Sequence, residues 1–299
     1  SRAAGSDRRR PVPAATVPWS TTITPHVRPV RFRSGVNRLV AVSASMPDDA
    51  DAELTARIDA VFVQVTKLLL LAGFEVAYGG DHRRGGLTRR LADAARGTIG
   101  FRGGRVHNYL TGPDKARVPE DEFIGGINII DVDPGPGEPG EGDEIRYGRA
   151  LSEMRRRMTE DCVAKVVIGG KFFDAAGFGP GVLEECFLAH RHGQPLVLLD
   201  RFGGVAAAVS EMIGTEGRAA DTDEELAKTL VRLEADVTYL ERIRKAKRSS
   251  KPADQLRAFA EPAAEAKGGR PTAPPKIVTD DEPSQAARQV LAHLRRLVE

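Results

Sequence analysis

Apolar positions along the chain fall into two repeating patterns, short unbroken runs and longer stretches with helical spacing, and the two take turns. Residues 38–42 form a short apolar run. After Pro47 and the acids Asp48, Asp49 and Asp51, the residues Leu54, Ile58, Val61, Phe62, Val65, Leu68, Leu69 and Ala72 recur at the 3.6-residue period of an amphipathic helix. Gly73 stands where a left-handed helix end is wanted, and residues 74–78 form a second apolar run. A strand, a helix and a second strand in this order predict a right-handed parallel crossover.

The alternation continues. Leu87, Leu91, Ala94 and Ala95 mark a second helix, and residues 105–110 and 127–132 read as the end of a connection and a third strand. Residues 133–142, with three prolines and four glycines, read as an irregular, mobile loop. A helix over 147–162 turns Leu151, Met154, Met158 and Cys162 inward, with Arg155 on the edge of that stripe and Arg156 and Arg157 outside it. Residues 163–170 are a buried strand. A helix from Gly181 with Val182, Leu183, Cys186, Phe187 and Ala189 follows, then a strand over 195–200, a helix over 205–213, and a helix through Leu226, Leu230, Leu233, Val237, Leu240 and Ile243. This predicts an α/β fold, doubly wound, with a mostly parallel sheet and helices on both faces. The core domain spans 36–247. It is preceded by a flexible basic, proline-rich lead-in over 1–35, then followed by a linker over 248–284 and a C-terminal amphipathic helix over 285–299 that docks on the domain or binds a partner.

Composition narrows the choices. A hydrophobic content of 41% is enough for a core, and a net charge of +2 makes no case for a nucleic acid or a membrane as partner. Two cysteines, Cys162 and Cys186, are too few for a disulfide framework or a zinc site and read as core thiols. No run approaches the roughly 18 apolar residues that span a bilayer, and no signal-peptide hydrophobic stretch follows the early arginines, so a cytoplasmic setting is expected.

The candidate chemistry sits where strands end. Gly79, Gly80, Asp81 and Arg83 follow the second strand. Gly169 and Gly170 end the strand over 163–170, Lys171, Gly179 and Gly181 follow it, and Gly203 and Gly204 follow the next. Glycines let a backbone come close to a ligand, and helix starts offer unpaired N–H groups and a positive dipole end to an anion. Three such loops on one sheet edge predict a phosphate-bearing, nucleotide-like ligand. Ser43 and Ser45, at the end of the first strand, and Val182 join the binding set. Asp81 either accepts from a ribose hydroxyl or caps its turn, and His82 faces solvent. Arg155 needs an anion, an internal carboxylate or a ligand phosphate. Glu185 is either a functional carboxylate or one satisfied at a helix start, and Glu184 is solvated.

Taken in order, residues 78–83, Met154 with Arg155, residues 168–170, 181–185 and 201–204 resemble the SLOG superfamily, a Rossmann-like group. It takes in the lysine-decarboxylase-like LOG enzymes and sensors associated with TIR domains and channels. The resemblance covers about residues 38–215. LOG enzymes cleave the N-glycosidic bond of nucleoside monophosphates through an arginine and a P-G-G-x-G-T-x-x-E motif, so it implies Glu185 and Arg155 as catalytic residues if the chain is an enzyme. Ten residues separate Gly170 from Gly181, and Val182 stands where the motif has threonine. It implies a sensor of an ADP-ribose-like or cyclic nucleotide in stress or defence signalling, and, as the alternative, a phosphoribohydrolase. The partners expected are the small ligand, a second copy of the chain in a homo-oligomer and a separate effector protein; no cofactor or metal is required.

Overall fold

The computed structural model describes residues 37–80, 86–98, 105–116, 118, 127–133, 143–172, 177, 180–216 and 275–298. Seven strands form one sheet: β1 (Leu39–Ser45), β2 (Glu75–Gly79), β3 (Val106–Thr111), β4 (Ile127–Val132), β5 (Ala164–Gly169), β6 (Leu196–Leu199) and β7 (Lys276–Val278). Their order is β4-β3-β2-β1-β5-β6-β7, and every pairing is parallel. The helices are α1 (Ala52–Ala72), α2 (Leu87–Arg96), the short α3 (Gly112–Lys115), α4 (Asp143–Asp161), α5 (Gly181–Arg191), α6 (Gly204–Glu216) and α7 (Pro283–Val298).

Local sequence explains the strongest elements. Asp51 caps α1 by accepting from the Leu54 N–H at 2.8 Å. Gly73 ends the helix at φ 99°, a left-handed conformation in which a Cβ would be strained. The apolar stripe of α1 is buried against the sheet, with Phe62 and Leu69 fully enclosed. On this face Val40, Val42 and Ala44 of β1 and Ala164, Val166 and Ile168 of β5 meet α1, α2 and α7 in one core. The alternate residues, among them Leu39, Ala41 and Ala77, face Leu151, Met154 and Met158 of α4 and Cys162 just after it, as the stripe predicts. Arg156 and Arg157 lie outside it, paired with Glu153, Glu160 and Asp161.

Two expectations change. The stretches read as a connection end and a third strand are both strands, β3 and β4, in register from Val106 opposite Ile127 to Thr111 opposite Val132. β7 falls inside the stretch read as a linker: Val197, Leu198 and Leu199 pair with Lys276, Ile277 and Val278. Three residues carry no readable period, and only β6 makes them a strand. α7 docks on α1, burying Ala286, Ala287, Val290 and Leu294. The helix expected through 226–243 lies outside the described residues, as do the basic lead-in and the loop over 134–142.

The winding reverses between β1 and β5. From β1 the chain proceeds outward through β2, β3 and β4, and from β5 it proceeds the other way through β6 and β7. Loops at the carboxyl ends of strands part at such a switch point, which is where open α/β sheets take ligands. Among the described residues no helix is long and apolar enough to cross a membrane.

Candidate functional site

Ser45 ends β1 opposite Gly169 of β5, and the loops that follow are tied together. The Gly170 N–H donates to the Ser45 carbonyl at 2.8 Å, the Lys171 N–H to the Ser45 hydroxyl at 3.1 Å, and the Phe172 N–H to Asp48 Oδ2 at 2.7 Å. Three successive amides of the loop after β5 therefore already have protein acceptors. Gly170 and Lys171, both in the expected binding set, thus give their amides to Ser45, and Phe172 gives its amide to Asp48.

The glycine pairs have a further reason to be glycine. Gly170 and Gly204 have φ of 107° and 57°, and a Cβ on Gly204 would stand 2.0 Å from the Gly170 carbonyl oxygen. The Val205 N–H donates to that oxygen at 3.0 Å. The loops after β5 and β6 thus press backbone on backbone, with Pro47 of the β1 loop against Gly169, Gly203 and Gly204. Val182 packs its side chain toward Gly170 and is buried. At the end of β2, Gly79 has Met154 of α4 at 3.4 Å from where a Cβ would be, and the Gly80 N–H donates to the Tyr109 carbonyl. Asp81, Arg83, Gly179 and His82 lie outside the described residues.

The start of α5 is different. Its N-cap residue is Pro180, no side chain caps it, and the first intrahelical bond runs from the Glu184 N–H to the Pro180 carbonyl. Arg155, projecting from α4, lays its guanidinium against this turn: a Cβ on Gly181 would be 2.6 Å from Nη2, and one on Gly177 would be 3.5 Å from Nη1. The guanidinium donates through Nη1 to Glu184 Oε2 in a buried pair. Glu184 is thus not solvated as expected: it is 3% exposed, turned toward α4 because Arg155 supplies the countercharge that its burial requires.

One residue on, Glu185 turns toward the sheet instead. Its Oε2 accepts from the Ser43 hydroxyl of β1 and from Lys165 Nζ of β5, the latter at 3.0 Å. Lys165 Nζ also lies 3.5 Å from Ser43 Oγ. Both contacts fall on one oxygen; Oε1 takes no hydrogen bond from any described residue. Cys186 and Cys162 complete these surroundings, and burial pushes both thiols up to about 12, against a weaker downward pull from Lys165. They are neutral core thiols, as their sequence setting predicts.

The structure thus brings Ser43, Arg155, Gly181 and Glu185 together around the start of α5, while Ser45, Gly169, Gly170, Lys171, Gly203 and Gly204 knit the adjoining loops. Sequence reasoning missed Lys165 and Glu184. A lysine inside an otherwise apolar strand was the available signal for the first. Among the described residues no group of three or more His, Cys, Asp or Glu side chains is placed to hold a metal ion.

An all-parallel, doubly wound sheet with its loops gathered at the β1/β5 switch point defines a Rossmann-like α/β protein. Its resemblance to the SLOG superfamily is carried by more than the motifs: the family described as SLOG cluster2 matches residues 140–261, a span that holds Arg155, Lys165, Glu184, Glu185, Gly203 and Gly204. Among solved structures, the chain is similar to an X-ray structure of a structural-genomics target, TM1055. The two are 18% identical, the match covers 59% of this chain and 81% of that one, and the TM-score is 0.36. No curated protein matches the chain.

Proposed function

We propose that this chain binds a nucleotide-derived small molecule, ADP-ribose-like or a cyclic nucleotide, and acts as a ligand sensor in stress or defence signalling. The observation that carries the reading is the start of α5, an N-terminus without a side-chain cap and with the Arg155 guanidinium against Gly181. The N–H groups of a helix start without a side-chain cap, the helix dipole and a forked cation together favour a phosphate at that spot. Glu185, one turn along the same helix, suits a hydroxyl donor such as a ribose. Sensing is preferred over turnover because the charged groups are already engaged internally, Arg155 by Glu184 and Glu185 by Lys165 and Ser43. Val182 also leaves no hydroxyl at the helix start. A homo-oligomer and a separate effector would transmit the bound state.

One observation favours the second reading, a LOG-like phosphoribohydrolase: Oε1 of Glu185, which takes no hydrogen bond from the described residues, would stabilise an oxocarbenium-like state or activate water. Heat-shift measurements with AMP, ADP-ribose and cyclic ADP-ribose, with chromatography for released base, separate the two. Saturable shifts without free base are expected. Base release that disappears in Glu185→Gln would replace the sensor by the enzyme, and the absence of any shift across the panel would overturn both.

A further inference from the structure

Lys165 has no exposed side-chain surface, sits in a strand whose other residues are all apolar or glycine, and ends on Glu185 Oε2 at 3.0 Å. A buried ammonium is costly unless paired, and apolar residues of similar volume would stabilise the fold at least as well. Its presence therefore asks for a reason other than packing. The geometry supplies one. Lys165 from β5 and Ser43 from β1 converge on the same carboxylate oxygen, which fixes the side chain in one orientation and leaves Oε1 free among the described residues. Glu185 keeps 11% of its side-chain surface exposed, whereas Lys165 keeps none, so only the glutamate can meet a ligand.

We propose that Lys165 is a positioning residue, which acts through Glu185 by holding its carboxylate turned so that Oε1 can accept a hydrogen bond from a hydroxyl or amino group of the ligand. The proposal rests on the reading of the α5 start as a binding site. The other titratable groups facing Glu185 support the assignment. From α5 comes the Cys186 thiol and from just past α4 the Cys162 thiol, both neutral, while Arg155 pairs with Glu184 rather than with Glu185. Lys165 is then the countercharge for this carboxylate.

The test compares the full chain with Lys165→Met, Glu185→Gln and the double variant. Carbon-13 NMR of the Glu185 carboxyl at pH 7 needs no ligand. The expected result is a carboxyl chemical shift that changes in Lys165→Met, where the carboxylate loses the ammonium that holds its Oε2. With AMP and ADP-ribose as probes, the apparent affinity from heat-shift titration should fall in Lys165→Met by about ten- to a hundredfold, the range for losing a charge-assisted hydrogen bond. The double variant, with both charges gone, should regain thermal stability without regaining affinity. An unchanged carboxyl signal in Lys165→Met overturns the proposal, and so does a double variant that binds the probes as the unsubstituted chain does. Should Lys165→Met fail to fold, the double variant decides by the same criterion. If no probe shifts the unsubstituted chain, the binding reading fails, and the carboxyl signal still decides whether Lys165 holds the Glu185 carboxylate.

Discussion

Single glycines in this chain differ sharply in what they are for, and the difference is measurable. A Cβ on Gly204 would collide with the Gly170 carbonyl in a left-handed backbone, whereas one on Gly79 would meet the flexible end of Met154 at ordinary contact distance. Gly204→Ala should therefore destabilise the fold by more than the roughly 1–2 kcal/mol of a left-handed non-glycine residue alone, while Gly79→Ala should stay within about 0.5 kcal/mol of the parent. Urea unfolding of the two variants checks this. Both glycines read alike as ligand-loop residues in the sequence, because a composition of glycines after strands does not say whether a missing Cβ makes room for a guest or for another loop. Glu184 and Glu185 make the same point. They are neighbours in sequence, yet their roughly 100° separation on α5 sends one to Arg155 and the other to Lys165.

At the scale of elements, periodicity was a good guide wherever a described element was long. α1 reads directly from its stripe, its acidic cap and its terminal glycine, and α4 from its methionines. α7 reads equally well as a helix, but its partner does not: Leu291, Leu294 and Leu297 could have faced a second protein. The structure docks it on α1, with Leu294 1% exposed and Leu297 left at 41%. Leu294→Ala should cost about 2–5 kcal/mol in unfolding free energy, as for other enclosed leucines, and Leu297→Ala much less. Equal losses at the two positions, measured by denaturant titration, would show that the helix lies on another surface.

For the molecule as a whole, the alkaline limb of stability should carry the mark of its buried groups. Cys162 and Cys186 ionise near 9.0 when exposed but only at about 12 in the fold. Between those values the unfolded chain binds fewer protons than the native one, so stability falls as pH rises, by up to about 1.4 kcal/mol per pH unit for each thiol. Tyr109, pushed upward first by burial and then by donating to Asp161, adds to the same trend above its ordinary value. Unfolding measured at pH 8, 9 and 10 should show this decline, and a chain with both cysteines replaced by alanine should show a shallower one.

The alternation of apolar runs with helical stripes was sufficient, by itself, to determine the parallel α/β architecture, the long helices among the described residues and the clustering of loops at one sheet edge. Those features follow from local period, handedness and the need to bury one face. The tertiary structure alone decided which loop amides are already bonded, which glycines touch one another, that Lys276–Val278 forms a seventh strand, and that two adjacent glutamates face different cations. Each of these depends on groups far apart in sequence meeting across the switch point between β1 and β5, where no local pattern records the distance or the partner.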